Sequence, residues 1–456
     1  MVIGALMVLG CSDKDDTSQT DSSPPISPSA CDPALEETGS PIVAFDSNPP
    51  KNLLVISIDT LRRDRIGRYQ SDNLTPFFDG ILDQSVALDD FRVCANWTLP
   101  GVTCAMVGQS TLEIGVEPMY ADQENSPEYL DDELETLTTW LANTGFSTAL
   151  VTTSKLFSDD RPVGNDFATV RYNGDVPAWW VVEEGVEMAT TLKQSESPWY
   201  LHLHFRDPHS PFAPPLEYQG ALADADLGDL DPRTTEGIAA IARGWSDLSG
   251  PELASVMANT NALYDGEVRY LDDQLSILWT ALTEMGALDD TLVVFWSDHG
   301  EQFFEHGAFQ HGKSLHMGEA NGIGMFWAAN LDAVAWSAPT EQKDIAPTIL
   351  HALNIDIPAQ ITGVPVGTAL SDRVRISTTT RNQTIPIHSI ERYGHRMLYD
   401  WTGDKKYYFI PNDPSEDVNL YDANDPNVVC LWELLSPAIE LVDAARAGIS
   451  PQSPHP

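Results

Sequence analysis

The sequence predicts an α/β fold built on a mainly parallel central sheet flanked by helices. Three observations carry that expectation. Short apolar runs of strand length alternate with longer segments of helical periodicity, the pattern of βαβ units. The runs are apolar at consecutive positions, as strands buried on both faces must be. Several end on an aspartate or a histidine, and the carboxyl edge of an open parallel sheet is where sites are built.

The first run, Leu53 to Ile58 in KNLLVISIDTLRRDR, delivers Asp59 at its end. CANWTLPGVTCAMVGQS (94–110) sets Thr98 before a Pro-Gly turn that opens a helix. An amphipathic helix, DDELETLTTWLAN, leads into a strand over 144–153, TGFSTALVTT. WYLHLHFRDPHSPF (199–212) is a strand running into a loop that carries His209. In ALYDGEVRYLDDQLSILWTALTEMGAL, Leu263, Val268, Leu271, Leu275, Leu278 and Leu282 recur at helical spacing. DDTLVVFWSDHGEQFFEHG (289–307) places a buried strand, Leu292 to Trp296, just before Asp298 and His299. The stretch 215–260 carries no readable signature, and no internal repeat is evident. Asp59, His209, Asp298 and His299 thus fall at strand ends along one sheet edge. Carboxylates with histidine bind hard cations or zinc, so a divalent metal is expected, with calcium, magnesium, manganese and zinc all open.

Composition narrows the partners. Lys+Arg is 25 against Asp+Glu 68, a formal net charge of −43, and such a surface repels nucleic acid. The opening MVIGALMVLGC resembles a bacterial lipobox ending at Cys11, and its apolar run is shorter than a bilayer span. This predicts an exported cell-envelope lipoprotein, anchored to a membrane by lipid on Cys11 and facing the outer membrane or the periplasm. Residues 12–50, rich in Ser, Asp and Pro, read as a disordered tether. Cys31, Cys94, Cys104 and Cys430 show no CxxC spacing, so a zinc knuckle is not expected and any disulfide pairing is left open.

NLLVISIDTLRRDR, WTLPGVT, HFRDPHSPF, YDGEVRYLDDQL, WSDHGEQFFEHGAFQHGK and KDIAPTIL resemble, in order and spacing, the motifs of the sulfatase branch of the alkaline phosphatase superfamily. The resemblance covers about 51–370, read as the catalytic domain. The segment SIERYGHRMLYDWTGDKKYYFIPNDPSEDVNLYDANDPN is similar to the family's C-terminal subdomain, which implies a small antiparallel sheet within 371–456. Carried over residue by residue, the resemblance implies Thr98 as nucleophile, with Asp59, Asp298 and His299 as metal ligands. It implies Lys313 on the anionic group and His209 at the ester oxygens or the leaving group. Glu301 and His311 would stand behind the ligands or against substrate, and His306 matches the motif's EHG.

The departures matter as much. Sulfatases form formylglycine within Cys/Ser-x-Pro-x-Arg, whereas this chain has Thr98-Leu99-Pro100-Gly101-Val102, so formylglycine is not expected. Thr60 follows Asp59 where many relatives carry a second Asp. Met317 and Asn321 replace residues that are usually charged. The resemblance therefore implies a metal-dependent hydrolase of sulfate or phosphate/phosphonate esters working through a Thr hydroxyl. The substrate would be an anionic ester, a sulfated glycan or a phosphodiester. The alternative is a non-catalytic binding lipoprotein that keeps the fold.

Overall fold

The computed structural model describes residues 28–32, 39–45 and 47–447, apart from 71–73, 115–133, 158–163, 165, 175, 369–372, 380–385 and 401. Cys11 and the lipobox lie outside these residues. The strands are β1 (Asn52–Ile58), β2 (Val86–Leu88), β3 (Phe91–Arg92), β4 (Ser147–Thr152), β5 (Thr169–Tyr172), β6 (Trp199–Phe205), β7 (Thr291–Ser297), β8 (Gly324–Trp327), β9 (Val334–Trp336) and β10 (Thr340–Glu341). The C-terminal part adds β11 (Arg375–Thr379), β12 (Ile387–Arg392), β13 (His395–Asp400) and β14 (Lys405–Phe409).

Eight strands form the central sheet in the order β5-β4-β6-β1-β7-β8-β2-β9. Pairing is parallel from β5 through β7 and antiparallel where β8 meets β7 and β2. Alternation along β1 explains its unbroken apolar run. Leu54, Ile56 and Ile58 enter the core on one face, Leu53 and Val55 the core on the other. Helices Ala178–Lys193 and Gly250–Glu284 cover the first face, and Thr98–Val107 and Ile345–Ala352 the second.

Two helices differ from expectation. The helix expected over 131–143 is described only from Leu137 to Asn143, because Thr136 caps it and its hydroxyl accepts from Thr139 N. The long helix starts at Gly250, inside the stretch that had no readable element. A capping box, Ser249 with Glu252, and an early proline fix that start.

The four C-terminal strands form an antiparallel sheet, β11-β12-β13-β14, with helix Pro426–Ala447 packed on it. Two stretches within 12–50 make contacts with the folded body. Ala30 is fully buried beside Ile390, Val428 and Leu431. Ile42 N donates to Val366 O at 2.9 Å, and Val43 is buried. Small and branched residues there find apolar partners that the Ser/Asp/Pro composition around them conceals.

A buried ionic cluster locks the C-terminal sheet to β3, which pairs with β10 in a separate two-stranded sheet. Glu391 on β12 accepts from Arg92 on β3 at 2.9 Å, from Arg375 on β11 and from Arg396 on β13 at 3.2 Å. Arg396 also bonds Glu416 at 2.9 Å and the carbonyl of Leu315. Burial opposes the charge on Glu391, yet Arg375, Arg92 and Arg396 outweigh it and hold the carboxyl far below the usual range. Replacing Glu391 with alanine leaves three guanidinium groups without their shared anion. We expect Glu391→Ala to cost about 3–5 kcal/mol in urea unfolding; a loss within 1 kcal/mol would contradict the cluster's role.

Candidate active site

The register of the sheet makes the site. Ile58 pairs with Phe205 on one side and with Ser297 on the other. The ladder runs one residue further, Asp59 N donating to Phe205 O at 2.9 Å and Asp298 N to Ile58 O at 3.1 Å. The next residues after β1 and β7 are therefore neighbouring aspartates, both buried. Asp298 Oδ1 accepts from Thr60 N at 3.1 Å and from His299 N at 2.7 Å. Asp298 Oδ2 is buried with no hydrogen-bond donor among the described residues. Burial first, then the Asp59 charge, pushes the Asp298 carboxyl well above its usual pKa. Thr60 takes a left-handed backbone, φ 56°, which turns the chain sharply after Asp59.

His299 completes the group. Its Nδ1 lies 2.8 Å from Gly300 O, so Nδ1 carries the proton and Nε2 the lone pair. Nε2 faces Asp59 Oδ1 at 3.5 Å and Asp298 Oδ2 at 3.7 Å. Asp59, Asp298 and His299 offer ligand atoms all within 4.8 Å of one another. The orphaned Asp298 oxygen and the carboxylate–imidazole donor set both suit a divalent cation.

Thr98 meets the same group. It is the first residue of helix Thr98–Val107, where Trp97 occupies the N-cap position without a side-chain cap. The hydroxyl is thus directed elsewhere than onto its own helix: Oγ1 lies 3.4 and 3.5 Å from the Asp59 oxygens and 3.5 Å from His299 Nε2. Two features hold it there. A Cβ on Gly101 would sit 2.9 Å from Asp298 O, so only glycine lets this helix approach the β7 end so closely. Cys94 and Cys104 form a disulfide that bridges the turn into the helix, a pairing the sequence left open.

The remaining expected residues divide. His311 Nδ1 lies 3.2 Å from both Glu301 oxygens, and its ring is 4.6 Å from the His299 ring and 5.1 Å from that of His209. His209 Nδ1 lies 2.6 Å from Ser210 O and donates to it, which fixes the orientation of the ring. Lys313 is exposed, donates to Phe309 O at 2.8 Å and opens onto a cleft shared with His306, His316 and Lys406. His306 is not with the aspartates. It stacks on His316 at 3.9 Å with ring planes 5° apart, near Glu416. Lone pairs in two parallel rings cannot converge on one ion, and Glu416 is already taken by Arg396 and Met317 N.

Several supporting residues went unread. Gln342 donates to Asp298 O at 3.0 Å and accepts from Cys94 N at 3.0 Å, joining the β7 end to the disulfide. Glu319, wholly buried and pushed well up by burial, receives Ser314 Oγ and Gly312 N and lies against Asn96. Arg62 ties Asp64, Glu305 and Glu301 O together. The Asp-Pro-His loop is held by a carboxyl pair. Asp207 hydrogen-bonds Glu267 of the long helix, and the two accept from Ala178 N and Ala213 N respectively. Burial raises both, Asp207 to about 6 and Glu267 well above its usual value, so the pair keeps a shared proton.

Comparison with known proteins agrees with this arrangement. Residues 51–355 match the sulfatase family model. The chain is 25% identical over 265 residues to an arylsulfatase of Clostridium perfringens, covering 55% of this chain and 54% of that one. It is 28% identical over 151 residues to human iduronate 2-sulfatase, covering 29% and 27%. The chain thus spans about half the length, or less, of these curated relatives. A structure solved in complex with its substrate D-glucosamine-2-N,6-O-disulfate superposes with a TM-score of 0.70 at 14% identity, covering 87% of this chain and 98% of that one. A 2-O GAG sulfatase superposes with 0.69 at 15% identity, covering 89% and 95%. Both share the fold.

The carboxyl pair behind His209 sets a pH dependence. Both groups have raised native pKa values, so the unfolded chain releases their protons first and stability falls as pH rises from about 4. Glu267→Gln keeps a donor to Asp207 while removing one ionisable group. Its gain over wild type should grow to about 1–3 kcal/mol by pH 8 and vanish near pH 4. Parallel stability-versus-pH curves for the two proteins would rule the shared proton out.

Proposed function

The chain belongs to the sulfatase family, and from that premise we propose that it is a metal-dependent ester hydrolase in which Thr98 is the attacking hydroxyl. The observation that supports this best is the position of Thr98 Oγ1. It lies 3.4–3.5 Å from Asp59 and 3.5 Å from His299, at the first turn of its helix.

Asp59, Asp298 and His299 are the residues that would hold the metal. Two carboxylates and one imidazole resemble a zinc or manganese donor set more than that of calcium, which takes six to eight oxygens. A divalent ion bound there would lower the pKa of the Thr98 hydroxyl and offset the charge on the ester oxygens. The chain's own residues do the rest. Backbone N–H groups at the start of helix Thr98–Val107 favour an anion in front of Thr98. Thr98 Oγ1 gives its proton up toward Asp59 and on to solvent, bonds the phosphorus or sulfur, and the bond to the ester oxygen breaks. His209, oriented by Ser210 O, gives that leaving oxygen its proton. Glu301 holds the tautomer and angle of His311 between the His299 and His209 rings. Lys313 has a place on the anionic group only by resemblance to the family; here it lines the cleft of His306, His316 and Lys406.

Thr98 chemistry favours a phosphorus ester over a sulfate. A phosphorylated threonine can be released by attack of water at phosphorus. A sulfated threonine lacks the geminal-diol route by which formylglycine expels sulfate. The names of the curated relatives favour sulfate esters instead, and structural neighbours solved with sulfated sugars extend that to glycans. We retain the exported lipoprotein anchored at Cys11 as part of the proposal, since such a location suits an enzyme acting on polymers outside the cell.

The test is turnover of paired aryl phosphodiester and aryl sulfate substrates by the manganese- or zinc-loaded protein, beside Thr98→Ala and Asp298→Asn. We expect phosphodiester cleavage that falls by about 10³-fold or more in Thr98→Ala, and metal content that falls with it only in Asp298→Asn. Sulfate cleavage lost in Thr98→Ala would keep the nucleophile and reverse the substrate preference. Cleavage that survives in Thr98→Ala would remove the nucleophile from the proposal. His209→Ala should lose about 10²–10⁴-fold with a poor leaving group and much less with a good one.

A further inference from the structure

The N-terminal segment 28–32 is held on the C-terminal subdomain by contacts that owe nothing to sulfur. Ala30 is buried against Ile390, Val428 and Leu431. Ala30 N and Ser29 Oγ both donate to Asn427 Oδ1, at 2.8 and 2.7 Å. Arg392 Nη1 donates to Ala30 O at 3.1 Å, and His395 Nε2 lies 3.0 Å from Pro28 O. These bonds fix the next residue, Cys31, over the first turns of helix Pro426–Ala447, where Cys430 stands.

The two thiols reach across to each other's backbone. Cys31 Sγ lies 3.2 Å from Pro426 O, and Cys430 Sγ lies 3.2 Å from Ala30 O. Burial and then the neighbouring Cys31 raise the Cys430 thiol, while Cys31 is exposed and open to a reagent. Both are thiols in this structure. The same chain carries the Cys94–Cys104 disulfide beside the site, and a structural disulfide belongs to an oxidising compartment.

We propose that Cys31 and Cys430 are a second disulfide site, a covalent strap that binds the N-terminal segment to the C-terminal helix. A soluble disulfide of the glutathione class, or a protein disulfide, is the oxidant. The thiolate of exposed Cys31 attacks one sulfur of the oxidant and expels the other as a thiol, giving a mixed disulfide. Cys430 then attacks Cys31 Sγ and releases the second thiol. Two cysteine thiols give up two electrons and two protons, and one oxidant disulfide becomes two thiols. Docking of residues 28–32 has already brought the two sulfurs together, so the long loop between them adds no further closing cost at that moment.

The strap acts on the sheet that backs the site. Helix Pro426–Ala447 packs on β12 and β13, whose Glu391 and Arg396 anchor the carbonyl of Leu315, two residues from Lys313. Fixing residue 31 to that helix also sets where any anchor upstream of it meets the folded body. None of this depends on the identity of the nucleophile or the substrate.

The experiment is a thiol map of the full-length protein, refolded or equilibrated with reduced and oxidised glutathione. Free thiols are alkylated under denaturing, non-reducing conditions, and the unreduced digest is read by mass spectrometry. A peptide pair joining Cys31 to Cys430, beside the pair joining Cys94 to Cys104, is the expected result. Alkylated Cys31 and Cys430 in a sample whose Cys94–Cys104 bond is intact would overturn the proposal, and so would Cys31 joined to a second copy of the chain. Melting adds an independent reading. Cys31→Ser and Cys430→Ser should lower Tm equally under oxidising conditions, and the double variant no further; additive losses would count against a shared bond.

Discussion

Everything in the site follows from two carboxylates forced side by side in a dry place. Parallel pairing of β1 with β7 puts Ile58 opposite Ser297, so Asp59 and Asp298 emerge together at the sheet edge. Neither strand can slip to relieve the repulsion, because a one-residue shift would turn Leu53 to Ile58 onto the wrong faces. The chain instead arranges positive ends around the pair. Backbone N–H groups of Thr60 and His299 point at Asp298, and the first turn of helix Thr98–Val107 closes over Asp59. What remains uncompensated, the buried Asp298 Oδ2, faces the lone-pair nitrogen of His299. A buried cluster of acceptors calls for a positive charge among them, a proton on a carboxyl or a cation.

The loop from Asp298 to Glu319 shows how such a site is supported. It is long, largely without regular structure, and mostly buried, so its backbone groups need side-chain partners. Arg62 takes Glu301 O, Glu319 takes Gly312 N, and Gln342 takes Asp298 O. Arg62 and Gln342 come from outside the loop and Glu319 from its own far end, so the loop is shaped partly by the fold around it and partly by its own closure. Gly300 fits the same account: a Cβ there would lie 2.0 Å from Gly318 O, where the two ends of the loop cross.

Strand-borne features were legible because period and end position are local properties. The apolar runs announced β1, β6 and β7, and their terminal residues announced Asp59, Asp298, His299 and the loop of His209. Thr98 was legible through its Pro-Gly turn and the motif around it. The supporting residues were not, since Gln342, Glu319, Arg62 and Glu267 owe their roles to partners elsewhere in the chain, 243 residues away for Arg62 and Glu305. The EHG motif around His306 is intact, and a left-handed backbone at φ 54° goes with a ring stacked on His316, away from the aspartates. The folded parts of 12–50 were hidden by composition, which averages over the few apolar residues that find a groove.

The replacement of the second aspartate by Thr60 and the replacement of a modifiable cysteine by Thr98 belong together. An additional carboxylate at position 60 would add a third negative charge to a pair that already drives the Asp298 pKa upward. A site with fewer carboxylates holds a hard, many-coordinate cation less well and leaves a borderline metal with histidine as the better match. An unmodified hydroxyl, in turn, depends on strong polarisation, because its own pKa lies far above neutrality. A borderline cation held by few ligands polarises a neighbouring oxygen more than one whose charge is shared among many. Under the proposed mechanism, the lower charge at 60 and the plain hydroxyl at 98 act together, since an unmodified nucleophile needs the stronger polarisation that a less crowded cation gives.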